Sequence, residues 1–303
     1  MIMKKTNYLF CLPILALMLN SACAQNKPVW NATIKVIDEA GQPVANADVV
    51  MGWNVNAPDL TLTYSKTEGS TDTNGVFKTS HEANGSTDLG FSANKAGYYS
   101  TRASHEIAQL NDNNPAKWNH NVTLELKKIG KPIAMYAKQV DSITFPEFNK
   151  AFGYDLTVGD WVGPYGKGIS SDIFFSENHP DEKSGYTFTV SFPHPGDGIQ
   201  GFTRDWSSGV SGLLSSHEAP VDDYQPKYEQ TQMPNPDRLY YFRVRTKIDD
   251  RGNIVSAHYG KIYGDFMQFR YYLNPTLNDR NVEFDPKQNL LQGLQSFEQV
   301  RQP

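Results

Sequence analysis

Cysteine is almost missing, with two in 303 residues. That excludes a disulfide-rich scaffold and a multi-cysteine zinc site. Charged residues are sparse at 20%, and the net charge is −5. This balance argues against nucleic acid or an anionic membrane surface as partner. Beyond the extreme N-terminus there is no long apolar run, so no transmembrane helix is expected downstream. What the chain does hold is 39% hydrophobic residues, 12% aromatics, 23 Gly and 18 Pro. It can bury a core, and it favours strands joined by many turns over a helical bundle. The length suits two ordinary domains or one large β domain.

Residues 1–24 read as an export signal. Lys4 and Lys5 form a basic start, Leu9 to Leu19 an apolar stretch too short to span a bilayer, and small residues follow. Two cleavage patterns compete. Ala22-Cys23-Ala24 before Gln25 fits ordinary signal peptidase, whereas Ser21-Ala22-Cys23 is similar to a lipobox in which Cys23 becomes acylated, with Asn20 departing from that pattern. In both, Cys11 leaves with the signal and no pair of thiols remains for a disulfide. Removing Lys4 and Lys5 takes the net charge from −5 to −7. The expected location is the periplasm or outer surface of a bacterium, soluble or anchored through Cys23.

From Val29 to Lys128 short apolar-patterned runs alternate with turn signals. Ala32–Ile37, Ala47–Trp53, Val76–Thr79, Leu89–Ala93, Tyr98–Ala103 and Asn121–Leu126 read as strands, divided by Asp38-Glu39-Ala40-Gly41-Gln42-Pro43 and Asp72-Thr73-Asn74-Gly75. This predicts a seven-stranded antiparallel β-sandwich, with 54–69 as an unusually long loop. The run from Ile34 to Val49, the turn Thr71-Asp72-Thr73-Asn74-Gly75-Val76-Phe77, and Ala93-Asn94-Lys95-Ala96-Gly97-Tyr98 resemble a carboxypeptidase regulatory-like domain over about a third of the chain. The resemblance implies a transthyretin-like, carbohydrate-binding-like sandwich and no peptidase activity. Trp53 with Tyr64, or Trp30 with Trp118, would serve either as a sugar platform or as core. His81, His105 and His120 lack metal-ligand spacing.

Gly130-Lys131-Pro132 breaks the pattern, which divides the chain into 28–130 and 131–303. The second part reads as β-rich, sandwich-like and aromatic. Ile133–Val140, Tyr186–Phe192 and the meander Leu239–Ile248, Ile254–Ile262, Phe266–Leu273 are its strands. Arg243, Arg245 and Lys247, alternating with Phe242, Val244 and Thr246, predict one wet face. Residues 209–236 read as a surface excursion, and 289–300 as a short helix. The segments 153–175 and 274–285 look similar to a domain of unassigned function in exported bacterial proteins, a likeness that brings no chemistry.

Catalytic signatures are incomplete. His179-Pro180-Asp181-Glu182 matches a zinc-peptidase string, but its neighbours read as a loop and too little chain remains for that enzyme's fold. Gly209-Val210-Ser211-Gly212 falls one residue short of a nucleophile elbow. No phosphate-cradling loop or dinucleotide fingerprint occurs, and no cofactor or metal is implied. A glycosidase or lyase would pair two acids across a cleft, with Asp160, Asp172, Asp205, Glu283 and Asp285 as the supply. Asp197, Asp205, Asp249 and Asp250 serve equally to cap turns.

The expectation is therefore an all-β exported protein whose second part binds glycan or cell-envelope material. The alternatives are a carbohydrate-active enzyme and a structural envelope protein. The candidate ligand residues are Asp160, Trp161, Lys167, Asp172, Arg204, Trp206, Asp279, Arg280 and Glu283. Glycines around Trp161 and Lys167 mark 153–175 as the segment of greatest interest, because they permit tight turns or close backbone approach.

Overall fold

Seven strands fill the first part of the chain: β1 (Val29–Asp38), β2 (Asp48–Asn56), β3 (Leu62–Ser70), β4 (Val76–Glu82), β5 (Asp88–Asn94), β6 (Thr101–Glu106) and β7 (Asn119–Leu126). They come from a computed structural model that describes residues 29–56, 62–82, 88–106, 118–179, 186–203, 207–230 and 237–303. Alternation drives their burial. Trp30, Ala32, Ile34 and Val36 of β1 point inward, as do Val49, Met51 and Trp53 of β2 and Leu89, Phe91 and Ala93 of β5. Their side chains, with Val122, Leu124 and Leu126, form one core between a three-stranded sheet (β4-β1-β7) and the sheet carrying β6-β5-β2-β3. Trp30 and Trp53 meet edge to face at 6.1 Å inside it.

Two features depart from expectation. β7 lies parallel to β1, with Asn31 opposite Asn119 through Asp38 opposite Leu126, whereas the pattern predicts antiparallel neighbours throughout. Much of the expected 54–69 loop is strand. β2 continues to Asn56, and β3 pairs with it from Leu62 to Ser70. As an edge strand β3 has one neighbour, and its side chains from Thr63 to Ser70 are exposed or half-buried, so the apolar alternation that marks a strand in sequence is weak.

One turn design recurs at three of the predicted turns. Asp38 accepts from the amides of Ala40 and Gln42, Asp72 from Asn74 and Val76, and Asp249 from Arg251 and Asn253, all at 2.8–2.9 Å. Each turn places glycine at positive φ in its fourth position: Gly41, Gly75 and Gly252. At Gly75 a Cβ would also stand 2.5 Å from the carbonyl of Val36, so glycine is required there twice over.

The remaining strands are β8 (Ile133–Val140), β9 (Ala151–Asp155), β10 (Asp160–Trp161), β11 (Ile173–Asn178), β12 (Thr187–Ser191), β13 (Gly198–Phe202), β14 (Val210–Ser211), β15 (Lys227–Gln230), β16 (Leu239–Ile248), β17 (Ile254–Gly264), β18 (Phe269–Leu273) and β19 (Phe284–Asn289). A six-stranded sheet, β13-β16-β17-β18-β8-β19, stacks on a five-stranded one, β10-β9-β11-β12-β15. Between them lies an aromatic core that includes Phe152, Tyr154, Trp161, Phe175, Phe242, Phe266, Phe269 and Tyr271. The described residues are all-β, without a helix. Residues 289–300, predicted helical, leave β19 at Asn289 and run irregularly, with one turn at 296–298 and Gly293 at φ 73°. No helix among the described residues is long and apolar enough to cross a membrane.

The outer face of the six-stranded sheet is covered, contrary to the predicted wet face. Arg243 is buried: Nε donates to the Gly196 carbonyl at 2.7 Å, Nη1 to that of Val221 at 3.0 Å, and the guanidinium lies 4.6 Å from the Tyr224 ring centre. Arg245 sits where the β16–β17 register shifts, at φ 55°, and Lys247 beyond it is exposed. What covers the face is the predicted excursion. Residues 207–219 form a strap that packs Leu213, Ser215 and Ala219 inward and lends β14 to the first part's sheet, Val210 opposite Arg102 and Ser211 opposite Thr101.

Candidate functional site

The segment 153–175 is built around three carboxylates, Asp155, Asp160 and Asp172, that accept from its own backbone. Asp160 accepts from the amides of Trp161 (2.8 Å) and Lys167 (2.9 Å), which closes the glycine-rich loop onto the strand. At Gly166 a Cβ would come within 2.4 Å of the Trp161 carbonyl oxygen, a close approach that explains this glycine. Asp155, buried, accepts from the amides of Thr157, Val158, Ile169 and Ser170 and from the Thr157 hydroxyl. Burial works to raise its pKa, but these hydrogen bonds outweigh it and hold the carboxyl below the usual range.

Asp172 is buried and paired. Arg245 donates to it through Nε at 2.6 Å and Nη2 at 3.0 Å, and the Leu156 amide completes the set. The same guanidinium comes within 3.5 Å of Asp155. The hydrogen bond to Asp172 raises the Arg245 pKa against the effect of burial. Two carboxylates joined through one arginine, bidentate on Asp172, form a brace between the sheets. Both carboxylates serve the fold.

Trp161 is 9% exposed, and its Nε1 donates to the Thr144 carbonyl at 3.1 Å. Its ring touches those of Phe145, Phe152, Tyr154 and Phe175, at centroid distances of 5.4–6.1 Å. From this core, ring contacts run to the surface in two directions. One passes through Phe152 to Tyr165 at 4.8 Å. The other passes through Phe145, Phe188 and Tyr186 to His179 and Phe148. Phe148 is 59% exposed and Tyr165 47%. The two ends are tied together: the Tyr165 hydroxyl donates to Glu147, which also pairs with Lys150. Lys167 and Ile169 lie on the same loop, Ile169 exposed. On another side of Trp161 a shallow cleft of about 470 Å³ is lined by Asp160, Thr144, Phe297 and the Lys138–Glu298 ion pair.

The other predicted residues belong elsewhere. Glu283, buried, accepts from the Tyr99 hydroxyl (2.6 Å) and the amides of Gly130 (2.9 Å) and Lys131 (2.7 Å), at the junction of the two parts. Arg280 donates to the Ala219 carbonyl and to Glu218, both at 2.6 Å, and Asp279 accepts from the Asn281 amide. None of these contacts reaches the loop bearing Lys167. The candidates Arg204 and Trp206, with Cys23, Asp181, Glu182 and Asp205, lie outside the described residues. No grouping of three metal-ligating side chains occurs among the described residues. The rings of Phe148, Tyr165, His179 and Tyr186 escape sequence reasoning. The signal available is an isolated aromatic in a polar or glycine-rich segment, such as Phe148 before Asn149-Lys150.

No family model matches the chain, and no curated protein matches it. Among solved structures, a 3-chlorocatechol 1,2-dioxygenase from Rhodococcus opacus 1CP overlays 34% of this chain and 62% of its own, at 14% identity and a TM-score of 0.26. The chain thus spans less than two thirds of that protein. Shaft pilin spaA from Lactobacillus rhamnosus GG overlays 57% of this chain and 90% of its own in two crystal structures. A point mutant of it gives 13% identity and a TM-score of 0.23, and the pilin without that mutation gives 12% and 0.22. Overlays this loose carry no argument about activity or partner.

Proposed function

We propose that this is an exported bacterial accessory protein that binds glycan or cell-envelope polymer, with the aromatic rim of its second part as the binding surface. The observation that carries the reading is the pair of exposed rings, Phe148 and Tyr165, bracketed by Glu147, Lys150 and Lys167 and backed by a buried cluster of tilted and edge-to-face rings around Trp161. A large ring exposed on a braced loop offers a flat apolar face at little entropic cost, and the flanking charges offer donors and acceptors to hydroxyls. Asp160 and Trp161 hold the platform in place, and Lys167 joins its edge. On this reading the first part is a carboxypeptidase regulatory-like spacer, and residues 1–24 direct export.

The test is co-sedimentation of residues 25–303 with purified peptidoglycan sacculi and with insoluble chitin. Retention on at least one polymer that persists in high salt supports the reading, since stacking is insensitive to screening. Absence of retention on both leaves the structural envelope role in its place.

A further inference from the structure

A second cleft, far from the rim in sequence, lies where the two parts of the chain meet. It encloses about 300 Å³, at the lower end of the size of small-molecule sites, which favour such junctions. Glu125 and Lys127, at the end of β7, form one wall. Thr203, just past the end of β13, borders the cleft on a second side, and the strap on a third with Ser208 and Ser211.

The floor is a stacked ring pair. Phe202 lies on Tyr241 with centroids 4.3 Å apart and planes 22° from parallel. Tyr241 is buried, and its hydroxyl is fixed by the amide and hydroxyl of Ser216 at 2.8 and 2.7 Å. Phe202 is half-buried: it lines the cleft and also packs against the apolar cluster of Leu239, Tyr263 and Tyr272. The walls are held from both sides. The Ser208 carbonyl accepts from the Glu125 amide at 3.0 Å, and the Ser215 carbonyl accepts from Lys127 Nζ at 2.9 Å. Gly209, at φ 82°, lets the strap press against β6 and β7, because a Cβ there would stand 2.8 Å from Thr101 Cγ2 and 2.9 Å from the Arg102 carbonyl.

We infer that this cleft is a preformed binding site for a neutral mono- or disaccharide. A flat ring floor suits the C–H face of a sugar, and hydroxyls at Thr203, Ser208 and Ser211 suit its edge. Among the described lining residues one carboxylate, Glu125, and one ammonium, Lys127, add no net charge, which favours a neutral ligand. The site is independent of the rim and stands or falls separately.

Saturation-transfer NMR on residues 25–303 with glucose, galactose, N-acetylglucosamine and chitobiose at millimolar concentration tests it. The wild-type chain is expected to transfer saturation to at least one of the four. Phe202→Leu, which keeps apolar volume but removes the ring face, is expected to weaken that binding about tenfold, as loss of one anchoring aromatic does. Thr203→Val is expected to weaken it too, at an exposed position where folding is not at stake. Each comparison is repeated in the Phe148→Ala, Tyr165→Ala background, so that sugar held at the rim does not contribute and the two readings fail separately. Absence of transfer to all four sugars in the wild type, or equal transfer in Phe202→Leu and Thr203→Val, overturns the inference.

Discussion

The Tyr99 hydroxyl donates to Glu283 Oε1 at 2.6 Å, tying the β5–β6 connection of the first part to the approach to β19 in the second. Burial, and then the hydrogen bond to Glu283, push the Tyr99 pKa up, so the hydroxyl stays a donor. Glu283 is itself buried and also receives the amides of Gly130 and Lys131. Glu283→Ala strands three donors and is expected to lower stability by about 3–4 kcal/mol. Tyr99→Phe removes one charge-assisted bond and is expected to lower it by about 2 kcal/mol. Denaturant unfolding of both variants checks this. Wild-type midpoints in both would mean that the junction contributes nothing.

Lys261 is fully buried, with Nζ 3.2 Å from Ser215 Oγ and 4.7–4.9 Å from the ring centres of Tyr272 and Tyr263. Burial pushes its pKa well below the ordinary lysine value, against the opposing pull of Glu283. The unfolded chain then binds more protons than the folded one between the two pKa values, so stability rises with pH in that window. Thermal melts are expected to rise with pH below the ordinary lysine value of about 10.4 in the wild type and to lose that rise in Lys261→Met. Buried tyrosines whose pKa values are raised, Tyr263 and Tyr271 among them, reverse the trend at higher pH. A Lys261→Met variant with the wild-type slope would contradict the assignment.

Trp161 and Lys167 sit in one segment but do different things. Trp161→Ala opens a cavity among four aromatic rings and is expected to cost about 3–5 kcal/mol. Lys167→Ala, at a side chain on the loop surface, should stay within about 0.5 kcal/mol of wild type. Chemical denaturation reads both, and a Trp161→Ala variant as stable as Lys167→Ala would remove Trp161 from the core.

Legibility in the sequence follows local chemistry. The Asp38, Asp72 and Asp249 turns are readable because the aspartate and the glycine three residues later act within five residues. The strand Leu239–Ile248 is readable from the alternation of Phe242, Val244 and Thr246 with Arg243, Arg245 and Lys247. Strand β3 is not, since an edge position lets Thr63, Lys66 and Glu68 face solvent and blurs the period. Arg243 misleads, because its burial depends on Tyr224 and on the Gly196 and Val221 carbonyls, supplied by remote parts of the chain. For the site, the glycine-rich loop draws notice, but exposure of Phe148 and burial of Trp161 are tertiary facts. The Asp172–Arg245 pair spans 73 residues, and no spacing rule reaches that far.

The first part's core is drawn entirely from residues 30–126, although β14 adds a strand to its sheet. We expect residues 28–130 to fold alone, with a lower melting temperature than in the full chain because the Glu283 and β14 contacts are lost. Circular dichroism and a thermal melt of that fragment decide it. A random-coil spectrum would mean that the strap is part of the fold and that the division near Gly130 is misplaced.

The rim is tested most directly by comparing residues 25–303 with the Phe148→Ala, Tyr165→Ala double variant for retention on sacculi or chitin, whichever the wild type binds, with melting temperature measured in parallel. Both rings are largely exposed, so the fold is expected to survive within about 1 kcal/mol. Loss of two stacking faces is expected to weaken binding by about a hundredfold. Equal retention by the folded double variant would contradict the assignment of the rim as the binding surface.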